Sequence, residues 1–350
     1  WPALLSEIFA RISDEYMNGF SSQEFSKIQS AEESKYHISP FLVRGTANAL
    51  FGKGATGKTF LALRMGLSVA TGVPFLNYPV EIKGNVLFVD FEDTAGEFKD
   101  RVLRIIAGLP KDAEKPTEGE IDRSMFYLDS KGMTLHALLQ PIRREISEHG
   151  ISLIIIDSAA KACGGAAEES ETPNRFFNSL QSLGITSLTI AHENKGAQED
   201  NTFIFGSSFW NYSFRNVWKT KIVQEQGEDV IHSALIHCKS NRGKIQRTRA
   251  VRMYFGPDFV EMNQADPSAS FSGDLPLKER VIGILSQGPC SLKDIAEQTQ
   301  KSRDMIAVRL TDLAKRGIVL KPQERGGSWS LASQRPNLAV ETDPKSDWLL

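Results

Sequence analysis

The sequence predicts an α/β fold: a mostly parallel sheet flanked by helices, with antiparallel strands along one edge and a small second domain behind it. Three observations predict it. Short apolar runs alternate with stretches of helical periodicity from Ala47 to Ala191, the pattern of a parallel sheet covered on both faces. After about residue 216 the chain turns strand-rich without intervening helices. Residues 275–333 then read as a separate run of three amphipathic helices and a hairpin. A length of 350 residues suits about two domains at roughly 100–200 residues each.

Taken in order, residues 1–38 are mostly polar, with Leu4, Leu5, Ile8, Phe9 and Ile12 at helical spacing, so they form a helical extension too apolar-poor to be a domain. The runs Ala47–Phe51, Val86–Phe91, Met125–Leu128, Leu153–Ile156 and Ser187–Ala191 read as strands, with helices near 58–71, 96–108, 134–148 and 173–183. Val217–Val223, Val230–Cys238 and Val251–Met262 read as the antiparallel edge. The main domain thus spans 39–262. Residues 263–274, polar with Pro267, form a linker. The second domain occupies 275–333, and 334–350 is a polar tail.

Composition excludes several classes. Lys plus Arg is 41 and Asp plus Glu is 43, net −2, which rules out a uniformly basic nucleic-acid coat. The three cysteines, Cys163, Cys238 and Cys290, are far apart with no C-x-x-C. No disulfide framework or zinc finger is therefore readable, and a reducing, cytoplasmic compartment is expected. Apolar runs such as Leu153–Ile156 fall far short of the roughly 20 residues that span a bilayer, so no membrane partner is expected. The chain begins at Trp1 rather than Met, which leaves a longer native start open.

Gly52-Lys53-Gly54-Ala55-Thr56-Gly57-Lys58-Thr59 satisfies G-x-x-x-x-G-K-[ST] at every fixed position. It follows the expected strand Ala47–Phe51 and opens a helix at Phe60, the context that marks a phosphate-binding loop. Backbone N–H groups of such a loop curl round the phosphates, and the helix N-terminus adds positive potential. Gly52, Gly54, Ala55, Thr56, Gly57, Lys58, Thr59 and Phe60 are therefore the expected ATP contacts, with Lys58 reaching the β- and γ-phosphates and the Thr59 hydroxyl on Mg²⁺. Asp157 ends the buried run Leu153–Ile156 and is the expected second Mg²⁺ contact. Within Val86–Asp93, side chains alternate along the strand, so Asp90 and Glu92 point the same way. Glu92, at its end, is the expected general base toward an attacking water. His192 closes the strand Thr189–Ala191 and is placed to hydrogen-bond the γ-phosphate or that water. A zinc reading fails, because no second His follows four positions on.

Together these motifs resemble the RecA-like ATPases, especially the RepA-type and DnaB-type hexameric helicases. The carriers are the P-loop, the acid-bearing Phe88-Val89-Asp90-Phe91-Glu92-Asp93 strand and Ile154-Ile155-Ile156-Asp157-Ser158. His192-Glu193-Asn194-Lys195-Gly196 is similar to the His-x-x-Lys-Gly turn of the RepA-like group, and Gly206-Ser207-Ser208 followed by Arg215 to its arginine segment. Lys239-Ser240-Asn241-Arg242-Gly243 looks like the basic hairpin of DnaB-type helicases. The resemblance, from about Phe41 to Met262, implies a RecA-like sheet and Arg215 as an arginine finger. It implies Lys239 and Arg242 as a second trans element and a homo-oligomeric ring, a hexamer, with sites between subunits. It also implies replication or remodelling of DNA, as on a mobile element. The loops 161–171 and 197–205 depart from that pattern. They carry Glu168, Glu169, Glu171, Glu199 and Asp200, which oppose phosphate binding by a central channel. A regulatory or scaffold ATPase without helicase activity is the alternative.

In the second domain, Leu277, Val281, Ile282, Ile284 and Leu285 share one helix, and Ser291 caps a second over 292–296. A third begins at Ser302 and ends near Gly317. Ile318–Lys321 and Trp329–Leu331 form a hairpin around Gly326-Gly327. This pattern resembles a winged helix-turn-helix. Residues 276–333 hold ten Lys/Arg against six Asp/Glu, so positive charge gathers where a DNA reader needs it. Lys301, Ser302, Arg303 and Arg309, on the third helix and its approach, are the expected DNA contacts.

Overall fold

The structure, a computed structural model, describes residues 1, 4–9, 11, 22, 24–28, 35–165, 171–193, 209–223, 228–267, 277–322, 324 and 326–332. The chain divides into two units, Trp1–Lys35 and Tyr36–Leu350. In the first, residues 4–9 are helical, and Leu4, Leu5, Ile8 and Phe9 are exposed. Ile12 of the expected stripe lies outside the described residues.

The second unit opens with a two-stranded ribbon, β1 (Tyr36–Ile38) and β2 (Leu42–Val43). The large sheet is built from β3 (Ala47–Gly52), β4 (Asn85–Asp90), β5 (Met125–Asp129), β6 (Ile151–Asp157), β7 (Thr186–His192), β8 (Asn216–Val223), β9 (Val230–Ser240), β10 (Arg249–Phe255) and β11 (Val260–Ala265). Its strand order is β11-β10-β9-β8-β3-β7-β6-β4-β5. Every neighbouring pair from β8 to β5 is parallel, and those among β8, β9, β10 and β11 are antiparallel. This is the expected sheet, mostly parallel with antiparallel strands along one edge. Two boundaries differ from expectation. Val251–Met262 is two strands, folded apart where Gly256-Pro257-Asp258-Phe259 turns the chain and Gly256 N–H donates to Phe259 O at 3.0 Å. β11 also runs to Ala265, into the expected linker.

Helices cover both faces: α1 (Lys58–Thr71), α2 (Ala95–Ala107), α3 (Glu118–Ser124), α4 (Leu139–His149), α5 (Ala159–Ala162), α6 (Glu171–Leu183) and α7 (Phe209–Ser213). The alternation of β6 shows why two layers are needed. Leu153 and Ile155 join the core built on α1 and α2, whereas Ile154 and Ile156 join the core holding Ile142, Phe176 and Leu180. Period-two alternation with both sets apolar leaves no face for water. Helix α1 is buried from Leu61 to Ala70, so the helix behind the phosphate loop sits on the central strands. Thr94 caps α2, accepting the Glu97 N–H, and Thr117 caps α3 through a reciprocal capping box. Helices α3, α5 and α7, four to seven residues long, were too short to register as periodicity.

Past the sheet come α8 (Leu277–Ser286), β12 (Cys290–Ser291), α9 (Leu292–Thr299), α10 (Arg303–Lys315), β13 (Val319–Leu320) and β14 (Ser328–Leu331). The strands form a small antiparallel sheet ordered β12-β14-β13. The three helices and this sheet enclose their own core of Val281, Leu285, Ile295, Ile306, Leu310, Leu313, Val319 and Trp329. Ser291 and Ser302 cap α9 and α10, accepting the N–H groups of Asp294 and Met305. The tail 334–350 lies outside the described residues.

Candidate active site

The phosphate loop leaves β3 at the C-terminal end of the parallel strands. Its glycines answer to two steric demands. A Cβ on Gly52 would stand 2.2 Å from Thr220 Oγ1 and 2.5 Å from Thr220 O, so only glycine lets β3 lie this close to β8. Gly57 has φ +73, and a Cβ there would meet Met253 Cε at 2.5 Å. Thr56 is tied down beneath the loop, its hydroxyl 2.9 Å from Thr220 Oγ1. The Lys58 ammonium folds back over the loop and donates to Lys53 O at 2.6 Å, Gly52 O at 3.2 Å and Thr56 Oγ1 at 3.3 Å. Burial lowers its pKa, against Asp157, Glu92 and Glu193, which raise it. Phe60 packs edge-on against Phe255, with centroids 5.3 Å apart.

Beside the loop, Thr59 Oγ1 donates to Asp157 Oδ2 at 2.6 Å, so the two expected Mg²⁺ contacts are adjacent. Burial pushes the Asp157 carboxyl up to about 6, opposed by the Thr59 hydroxyl and reinforced by nearby Glu92 and Asp90. A buried carboxylate next to a hydroxyl suits a divalent cation, whose charge would offset the desolvation of the ionised form. No cluster of three or more His, Cys, Asp or Glu stands ready for a metal among the described residues. That fits Mg²⁺, which keeps waters and phosphate oxygens as its other ligands.

Glu92 and Asp90 do not share a strand face, because β4 ends at Asp90. Asp90 turns inward, and its Oδ1 accepts the N–H groups of Glu92 and Asp93 at 2.8 and 2.9 Å. This turn swings Glu92 across to β6 and β7. Glu92 Oε1 accepts a short hydrogen bond from the Ser158 hydroxyl and stands 3.9 Å from His192 Nε2. His192 is the main influence holding the Glu92 carboxyl down at about 2, with Ser158 assisting and partial burial opposing. Two carboxyls beside one phosphate loop are thus driven in opposite directions.

Sequence reasoning missed Ser158, Lys219 and Glu193 as members of this group. Glu193 N–H donates to Gly52 O at 3.1 Å, and its carboxylate takes Lys219 Nζ at 2.9 Å with both side chains largely buried. The signals were present as a Ser after the strand-ending Asp and a Glu after His192, but no spacing rule links either residue to its partner.

The remaining candidates lie elsewhere. Arg215 N–H donates to Ala47 O at 2.9 Å, at the start of β3. Gly52 is five strand residues away, about 17 Å at ~3.3 Å per residue. Asn241 N–H donates to Arg215 O at 2.9 Å, Arg242 Nη1 to Arg44 O at 3.3 Å, and Lys239 Nζ to Tyr212 O at 2.8 Å. Arg215, Lys239 and Arg242 therefore gather near the N-terminal end of β3, opposite their own phosphate loop. Asn194–Gly196, the loop 197–205 and Gly206–Ser208 lie outside the described residues, as do Glu168 and Glu169. On α10 and its approach, Lys301, Arg303 and Arg309 are exposed, whereas the Ser302 hydroxyl is engaged in capping.

Fold and site together define a P-loop ATPase. The chain belongs to the AAA domain family, whose profile matches residues 19–198. A solved KaiC-like protein from the hyperthermophilic archaeon Pyrococcus horikoshii OT3 is similar at 16% identity and a TM-score of 0.46, over 65% of this chain and 93% of its own. No curated protein matches the chain. Among the described residues, no helix is long and apolar enough to cross a membrane.

Proposed function

We propose that the chain is a ring-forming, DNA-remodelling ATPase of the RepA-like type, with ATP and Mg²⁺ bound at the phosphate loop and DNA engaged by a C-terminal winged helix-turn-helix. In this reading Gly52, Gly54, Ala55, Thr56, Gly57 and Lys58 cradle the phosphates, and Phe60 flanks them. Thr59 and Asp157 hold Mg²⁺, which when bound neutralises charge on the transferring phosphoryl group. Glu92 takes the proton of the attacking water, held in place by Ser158 and His192. Arg215, Lys239 and Arg242 act on a neighbouring subunit's nucleotide. The observation that carries the reading is the separation of the basic cluster from its own phosphate loop, the whole length of β3. A group that far from its own nucleotide serves hydrolysis only in a partner's site. Lys301 and Arg303 then contact DNA phosphate and base edge, with Arg309 beside them.

One observation favours the scaffold alternative. The third helix of the C-terminal unit also exposes Met305 (51%) and Val308 (72%), apolar side chains that suit a protein partner. ATP turnover with and without single- and double-stranded DNA, together with particle mass in a non-hydrolysed nucleotide, separates the two readings. DNA-stimulated turnover by a multimer, with duplex affinity falling steeply as salt rises and weakened by Lys301→Ala, supports the first. A nucleotide-dependent multimer indifferent to DNA supports the second.

A further inference from the structure

The first helix of the C-terminal unit reaches back onto the ATPase sheet. Glu279, in the first turn of α8, accepts the Thr248 backbone N–H with both carboxylate oxygens, at 3.0 and 3.1 Å. Thr248 is buried and closes the turn 241–248, which carries Arg242 and leads into β10. Two residues earlier, Gln246 N–H donates to His237 Nδ1 at 3.0 Å. With that nitrogen accepting, the neutral ring carries its proton on Nε2, which faces Asn216 Oδ1 at 2.8 Å. The ring also lies flat on Trp218, with centroids 4.3 Å apart. Asn216 Nδ2 donates to Asn48 Oδ1 at 3.2 Å and to Phe41 O at 2.8 Å. Asn48 lies on β3, the strand that ends in Gly52. Hydrogen bonds of this kind to a carboxylate are roughly twice as strong as neutral ones.

We propose that Glu279 is a positioning residue for ATP hydrolysis. Its carboxylate fixes the turn 241–248, and with it Arg242, in the geometry that completes a neighbour's site. The seating of the C-terminal unit thereby sets the turnover of the ATPase. The inference rests on the trans reading of that turn.

The test uses the full chain with Glu279→Ala and Glu279→Gln, alone and combined with Arg242→Ala. Amide hydrogen exchange over 244–250 should be about tenfold faster in Glu279→Ala, because the clamped N–H is released. Turnover should fall about five- to tenfold with KM within about twofold, and Glu279→Gln, which keeps one acceptor, should lie between. The double variant should turn over at the Arg242→Ala rate, since the two act in one path. Native exchange and native kcat in Glu279→Ala, with Arg242→Ala slow, overturn the clamp and spare the trans reading. Losses that multiply in the double variant overturn the proposal too, because they mark a general effect on stability. Native turnover in Arg242→Ala overturns the trans reading and the positioning role together. Should Glu279→Ala not fold, Glu279→Gln carries the same comparisons.

Discussion

Ser158 and Glu92 are 66 positions apart, and one hydrogen bond between them decides how Glu92 is presented. With its pKa at about 2, Glu92 is ionised and ready to accept a proton throughout the neutral range. Glu92→Gln should keep ATP binding and lose turnover by about 10²–10⁴-fold, since only the proton acceptor is removed. Lys58→Ala should lose affinity and rate together. Ser158→Ala should lower kcat about tenfold with KM near native, by loosening the orientation of Glu92. Combined with Glu92→Gln it should add nothing further, because it has no ionised carboxylate left to orient. Nucleotide titration and steady-state kinetics on the four variants check the set. A Glu92→Gln protein with native turnover would remove Glu92 from the mechanism.

The central elements are welded by buried polar side chains, and this makes their stability depend on pH. Burial lowers the pKa of His237 on β9 to about 4. Between 6.5 and 4 the unfolded chain takes up a proton that the folded ring refuses. The stability from this ring is therefore fully present above about pH 6.5 and lost as pH falls toward 4. The loss is on the order of 3 kcal/mol for a shift of this size. His37, also lowered by burial, acts in the same sense. Chemical denaturation of the native chain and of His237→Gln across pH 4–8 isolates the His237 contribution. The gap between the two should narrow on acidification. A constant gap would mean that His237 does not titrate with folding.

For the whole molecule, the basic cluster and the phosphate loop lie at opposite ends of β3, and the proposed assembly with sites between subunits predicts complementation. Lys58→Ala and Arg215→Ala chains should each be inactive alone. Mixed, they should recover a fraction of the native rate, because some interfaces pair an intact loop with an intact arginine. The measurement is ATP turnover against mixing ratio. Recovery of none, with mixed multimers demonstrated by mass, would confine Arg215 to a structural role.

What the sequence determined by itself is local. The phosphate loop, the strand-ending Asp157, the cap Ser291 and the alternation of strand and helix are each written within a few neighbouring residues, at the periods of the elements that carry them. The family resemblance extended that reading to Arg215, Lys239 and Arg242. Tertiary structure decided the rest. It inserted β7 between β3 and β6, which brought His192 to Glu92. It ended β4 at Asp90, so that Glu92 turned across the sheet instead of along it. It joined Glu193 to Lys219 and Glu279 to Thr248. These partners lie on separate elements 26 to 100 positions apart. Periodicity fixes which face a side chain takes, but sheet order and register, set by packing of the whole core, fix which side chain it meets.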